Sequence, residues 1–239
     1  MKDNLNQFLE VKNVTENTAD LYFYGDIVSS WWGAWDDTDQ YPETVKKFLD
    51  NAKGKNLNIY VNSGGGSVFA GITIYNMIKN YRGSKTVYID GLAGSIASVI
   101  ALAGDRVVMR TGSTFMIHKP LLSLCGGYNA DDMNKMANDL DAIQRCIMQV
   151  YQENLRPGVS IDEVEKMVNE ETWLSSDEAT RYFKIEVEES YEAIACVSDY
   201  LDKFSNNHEK IKNSKQEHLI SKAQARLNLL KLKGGNIHE

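Results

Sequence analysis

The chain has 239 residues, 43% of them hydrophobic and 25% charged, with a formal net charge of −7. That balance describes a globular chain with material for one good core, and no stretch reaches the roughly 18 uninterrupted apolar residues of a bilayer-spanning helix. From Lys203 to Glu239 eight Lys/Arg face three Glu, a net +5, leaving −12 on the 202 residues before them. An acidic body is ill suited to neutralising phosphates, so nucleic-acid binding through the main domain is not expected, and the basic tail reads as solvated.

Leu21 to Asp26 reads as a strand ending in a turn, and Tyr41 to Ala52 has helical spacing at Val45, Phe48 and Leu49. Leu57 to Asn62 is a β-rich run that breaks at Gly64-Gly65-Gly66, after which Ser67 is placed to cap a helix with Val68, Ile72, Tyr75 and Ile78 on its apolar face. Thr86 to Ile89 is the next strand, Ser95 to Ala103 the next helix, and Arg106 to Met109 and Phe115 to Ile117 are strands again. Asp131 to Leu155 reads as one long helix with the stripe Met133, Met136, Leu140, Ile143, Ile147, Val150 and Leu155. A shorter helix over Ile161–Val168 precedes Glu170-Glu171-Thr172-Trp173-Leu174, and Ser175 or Ser176 opens another through Tyr182. This strand–helix alternation predicts an α/β fold with a mainly parallel sheet. The expected organisation is one domain over residues 1–190, then a polar linker and basic, partly helical tail over 191–239, with a helix at Lys222–Lys233. The tryptophans at 31, 32 and 35 read as core or interface.

Three cysteines at wide spacings, with no C-x-x-C pair, support neither a disulfide framework nor a zinc site and fit a reducing cytoplasm. The polar start, Met1 to Gln7, has no apolar leader core.

Three segments carry chemistry. Asn62-Ser63-Gly64-Gly65-Gly66-Ser67-Val68 joins a strand to a helix, where three glycines let main-chain amides approach a bound group. It lacks the lysine of a P-loop and suits an oxyanion or a peptide backbone instead. Gly91-Leu92-Ala93-Gly94-Ser95-Ile96 brings Ser95 to a second such junction, as a nucleophile or as a simple helix cap, with the Ile96 amide beside it. Ser98, one turn on, is the alternative nucleophile. His118, in Met116-Ile117-His118-Lys119-Pro120, is the only histidine before residue 208 and the one candidate base for a serine 23 positions earlier. Lys119 offers a rival Ser–Lys dyad, but in an extended segment it points away from its neighbour.

In this order the segments resemble the ClpP family of serine proteases, over roughly Tyr22 to Glu188. Asn62-Ser63-Gly64-Gly65-Gly66 is similar to that family's Asn-Ser-Pro-Gly-Gly loop, Gly91–Ser95 to its Gly-x-Ala-x-Ser segment, and Met116–Pro120 to its Met-Ile-His-x-Pro segment. Tyr24-Gly25-Asp26-Ile27, Val68-Phe69-Ala70-Gly71, Ile74-Tyr75-Asn76 and Ala97–Asp105 resemble the phage and prophage branch, which acts in head maturation. The resemblance implies a ClpP/crotonase-like superhelix of repeated β-β-α units with a long handle helix at Asp131–Leu155. It also implies Ser95 as nucleophile, His118 as base, and the amides of Gly66 and Ile96 as oxyanion hole. Gly64, Gly65 and Ser67 would lie along the substrate.

Two departures stand out. Gly64 replaces the family's proline, and aligning Trp173-Leu174-Ser175 puts Glu171 where the family's acid is typically aspartate, with Glu170 as competitor. No metal or organic cofactor is implied. The implied partners are protein substrates, capsid or scaffold proteins among them, other copies of the chain in a homo-oligomeric ring (a heptamer or stacked rings), and an unfoldase ATPase. The implied setting is the host cytoplasm or a procapsid interior. Two other readings stay open: a crotonase-type acyl-CoA enzyme, which explains the glycine loop but not Ser95 with His118, and an inactive ring scaffold whose triad acid is lost.

Overall fold

The computed structural model describes residues 17–188 apart from Trp35 and Asp37. The expected linker and tail over 191–239, with the helix at 222–233, lie outside the described residues.

Strand β1 (Thr18–Phe23), helix α1 (Pro42–Asn51), β2 (Asn56–Ser63), α2 (Val68–Lys79), β3 (Lys85–Gly94), α3 (Ile96–Ala101), β4 (Arg106–Arg110) and β5 (Thr114–Ile117) follow in sequence. Then come α4 (Ala130–Glu153), α5 (Ile161–Asn169), β6 (Thr172–Ser175), α6 (Ser176–Tyr182) and β7 (Glu186–Glu188). The sheet order is β1-β2-β3-β4-β7, all parallel, and β5 adds in parallel to the far end of β3 while β6 runs antiparallel to β5. This is the mainly parallel α/β architecture the alternation predicts.

The register explains the core. Leu21 lies opposite Ile59 and Ile59 opposite Val87, all on one sheet face. Val45, Leu49, Ile74 and Ile78 from α1 and α2, and every residue of α3, are buried in the same core. On the opposite face the same period of two brings up Tyr22, Tyr60 and Tyr88, whose rings stack at 4.8 and 5.3 Å, with the Arg110 guanidinium 4.8 Å from the Tyr88 ring centre.

Several expectations need correcting. β3 is longer than its hydrophobic run, continuing to Gly94 because its second half pairs with β5 beyond the reach of β4 and still meets β2 at Ser63–Ala93. The helix after Ser95 stops at Ala101, short of Ala103. β6 and β7 do not announce themselves by alternation. Ser67 stands at the N-cap of α2 but makes no side-chain cap bond, whereas Ser175 does cap α6, in a reciprocal box with Glu178. Trp31 is 59% exposed in a 3₁₀ turn, so it is not core.

Helix α4 divides its stripe. Ile147 and Val150 are buried, as is Leu155, which lies beyond the helix because α4 ends at Glu153 rather than Leu155; Met136, Leu140 and Ile143 are half-buried, and Met133 is exposed together with Leu121, Leu122, Leu124 and Tyr128 in the segment before the helix.

Candidate active site

The glycine loop is held from beneath. Asn62 and Ser63 end β2 where its register against β3 slips, Val61 facing Ile89 but Ser63 facing Ala93. The buried Asn62 carboxamide oxygen accepts from the Leu92 amide at 3.1 Å, satisfying a donor the slip leaves without a ladder partner. The Ser63 hydroxyl donates to the Gly25 carbonyl at 2.6 Å and accepts from the Gly65 amide at 3.1 Å. Ile27 clasps the loop from its other side, donating to Gly65 O at 2.8 Å and accepting from the Ser67 amide at 2.6 Å.

Two of the three glycines are required by conformation and by space. Gly65 has φ +103° and Gly66 φ +148°. A β-carbon on Gly66 would fall 2.0 Å from Ile27 O, and one on Gly65 would fall 2.8 Å from both Gly94 O and Ser95 Cβ and 3.1 Å from the Ile96 nitrogen. The loop main chain therefore lies directly on the segment that carries Ser95.

Ser95 leaves β3 with φ 53° and ψ −127°, one of two non-glycine residues at positive φ among the described residues. Its side chain caps nothing. Its amide instead donates to Met116 O at 2.9 Å, tying it to β5, and its Oγ lies 2.7 Å from His118 Nε2. The simple-cap reading is thereby replaced by a serine–imidazole contact held in strained backbone, a pattern that concentrates at functional sites. The amide of Ile96 is the first of α3 and has no acceptor within the helix.

His118 follows β5 and is buried, which pushes its pKa below the ordinary 6.5, while the Glu171 carboxylate acts in the opposite direction. The β5–β6 ladder explains that pairing. Ile117 faces Thr172 in antiparallel register, so the next residue of one strand meets the preceding residue of the other: His118 comes opposite Glu171. Glu171 is half-buried and is the other non-glycine residue at positive φ, 52°. Glu170, the C-cap of α5, is exposed.

Ser98 is fully buried and bonded to both the Ser95 carbonyl and the Tyr151 hydroxyl, so it packs rather than facing a substrate. Lys119 is exposed and lines a separate polar groove between α4 and α5 with Gln144, Arg145 and Asn169. Beside Ser95 and His118 lies a small cavity walled by Val68, Val99, Ile147 and Tyr151. Tyr151 was not singled out by the sequence; the signal was its place one turn after Ile147, a hydroxyl set within an apolar face. Among the described residues no cluster of His, Cys, Asp or Glu fits a metal ion, and no helix is long and apolar enough to cross a membrane.

Comparison with known proteins agrees with this geometry. The family model described as Clp protease matches residues 40–186. The ATP-dependent Clp protease proteolytic subunit of Porphyromonas gingivalis is 34% identical over 147 residues, covering 58% of this chain and 62% of the relative. Subunit 1 of Chlamydia abortus is 33% identical over 128 residues, 53% of this chain and 66% of the relative. The chain thus spans a little under two thirds of the length of each. The solved structure of a ClpP1 point mutant from Listeria monocytogenes superposes with a TM-score of 0.54 at 25% identity, over 72% of this chain and 92% of that one. A family model that takes in the glycine loop, Ser95, His118 and Glu171 within a single match leads to one conclusion: the chain belongs to the Clp protease family.

Proposed function

We propose that the chain is a serine endopeptidase that hydrolyses peptide bonds through an acyl-enzyme. Ser95 Oγ attacks the scissile carbonyl while His118 Nε2 takes its proton and then returns it to the leaving amine. Water, activated by the same imidazole, releases the acyl group. Glu171 orients the imidazole, and the amides of Gly66 and Ile96 donate to the tetrahedral oxyanion. An extended substrate adds as a strand along the glycine loop, against Gly64, Gly65 and Ser67, with main-chain hydrogen bonds supplying most of the binding. The observation that carries this reading is the 2.7 Å Oγ–Nε2 contact made by a serine at positive φ. Buried and held below its usual pKa, His118 is neutral near pH 7, as a base must be. A crotonase-type enzyme has no use for this contact, and the coupling of Glu171 to His118 speaks against a scaffold that has lost its acid.

The protease domain is assigned to residues 1–190 and a basic tail to 191–239. The exposed Leu121, Leu122, Leu124, Tyr128 and Met133 around the start of α4 support pairing with further copies of the chain in a ring. The names of the relatives, proteolytic subunits of an ATP-dependent protease, support a subunit that works with an ATP-driven partner, here read as an unfoldase ATPase in the cytoplasm. The segments at Tyr24–Ile27 and Ala97–Asp105 support instead a head-maturation protease acting on capsid or scaffold proteins. Degradation of a folded protein only when an unfoldase and ATP are added would favour the first; ATP-independent cleavage of a capsid protein would favour the second.

The primary test is casein digestion by Ser95→Ala and Ser98→Ala chains. The Ser95 variant is expected to be inactive and the Ser98 variant to retain measurable cleavage; loss confined to the Ser98 variant would overturn the assignment.

A further inference from the structure

We propose that Ser98 and Tyr151 form a positioning pair that holds the main chain of Ser95 in its left-handed conformation; this rests on the reading of Ser95 as the nucleophile. The Ser95 carbonyl accepts from the Ser98 hydroxyl at 2.5 Å and from the Ser98 amide at 3.0 Å. A serine hydroxyl has one hydrogen, and here it is committed to Ser95 O. The 2.8 Å contact between Ser98 Oγ and the Tyr151 hydroxyl must therefore run with Tyr151 as donor. Burial raises the Tyr151 pKa well above its ordinary value, so that hydrogen is present at every working pH.

The peptide groups on either side of the Ser95 α-carbon are thus tied to two different elements, β5 and, through Ser98, α4. The amide is bonded to Met116 O, two residues before His118, and the carbonyl is bonded through Ser98 to α4. A serine bonding back to the carbonyl three residues before it is common in helices. What is uncommon here is the acceptor, which belongs to a residue at φ 53°, and the second hydroxyl, which comes from 53 residues further along the chain. Packing alone does not call for that hydroxyl. The Tyr151 ring lies edge-on to Phe183 at 5.7 Å and walls the cavity beside Ser95 with Ile147 and Val99, work that a phenylalanine ring would do equally well. Neither residue touches the reacting atoms; both act through the placement of Ser95.

The test uses the full chain and three variants, Ser98→Ala, Tyr151→Phe and the double. Active sites are titrated with a fluorophosphonate, and kcat per titrated site and KM are then measured on a fluorogenic peptide, with thermal unfolding in parallel. Ser98→Ala is expected to lower both the labelling rate and kcat per site about tenfold, the equivalent of one hydrogen bond at about 1.4 kcal/mol, with KM unchanged. Tyr151→Phe is expected to lower them about threefold, and the double variant to match Ser98→Ala, because Tyr151 acts only through Ser98. The acid limb of the pH profile should stay where it is in the wild type, since His118 keeps its surroundings. A merely structural role would lower the melting temperature or the titrated fraction and leave kcat per site unchanged. Wild-type kcat per site in both single variants would overturn the pair while leaving Ser95 as nucleophile; a wild-type chain that takes no label at Ser95 would sink the nucleophile assignment and the pair with it. Should Ser98→Ala fail to fold, Tyr151→Phe decides alone, and an unchanged kcat per site there is the contrary result.

Discussion

Replacing Gly65 by alanine perturbs the site by an amount the structure fixes. The new β-carbon would stand 2.8 Å from Ser95 Cβ and from Gly94 O. Carbon–carbon contacts settle at about 3.5–4.0 Å, so the loop and the nucleophile segment must part by roughly 0.7–1.2 Å. Taken up along the Ser95–His118 contact, which is 2.7 Å long, that movement carries it to about 3.4 Å or more, past an effective hydrogen bond. A misplacement of about 1 Å costs on the order of 10²-fold in rate, and kcat/KM for a fluorogenic peptide is expected to fall by that factor. The φ of +103° adds main-chain strain of about 1–3 kcal/mol, read as a lower melting temperature. Gly54→Ala separates the two effects: Gly54 has φ +84° but nothing within 4 Å of its β-carbon position, so it should lose stability and keep its activity. A folded Gly65→Ala chain with kcat/KM within about threefold of wild type would show that the loop does not set the Ser95–His118 distance, as would a parallel loss of activity in Gly54→Ala.

Three further outcomes are expected. Glu171→Gln should lower kcat on the order of 10³–10⁴-fold in the same peptide assay, while Glu170→Gln, at an exposed helix end, should stay within about twofold. Because burial lowers the His118 pKa and only its neutral form accepts the Ser95 proton, kcat/KM should fall on acidification through a midpoint below 6.5. Removing the Glu171 charge, which raises that pKa, should move the midpoint lower still, and a pH–rate series showing it move upward would contradict the assigned coupling. Phe183→Ala, which empties a fully buried position against the Phe115 and Tyr151 rings, should cost about 3–5 kcal/mol in denaturant unfolding.

What the sequence disclosed and what it withheld divide along physical lines. β2, the second half of β1 and the first half of β3 were legible because each buries alternate residues on one face, Leu21, Ile59 and Val87 among them, whereas the start of β1 at Thr18 and the run of β3 on to Gly94 were not. β6 was not: four residues with a single buried side chain, Leu174, carry no period, and the strand exists because β5 offers it an edge. The site followed the same rule. Glycines at a strand–helix turn, a serine at the next one and a lone histidine could be read as residue types in order. That Ser95 sits at φ 53°, or that one antiparallel register sets Glu171 opposite His118, depends on pairings between distant segments. Ser67 shows the converse error: a good capping residue at the right place whose side chain caps nothing, its main chain being tied to Ile27 instead.

In the proposed reaction everything turns on Ser95, activated by His118, as the nucleophile. Treating the full-length chain with a fluorophosphonate and mapping the adduct by peptide mass spectrometry tests that role most directly. One adduct is expected, on Ser95 and abolished in His118→Ala; the absence of any adduct, or one on Ser63 or Ser98, would rule out Ser95 as the nucleophile.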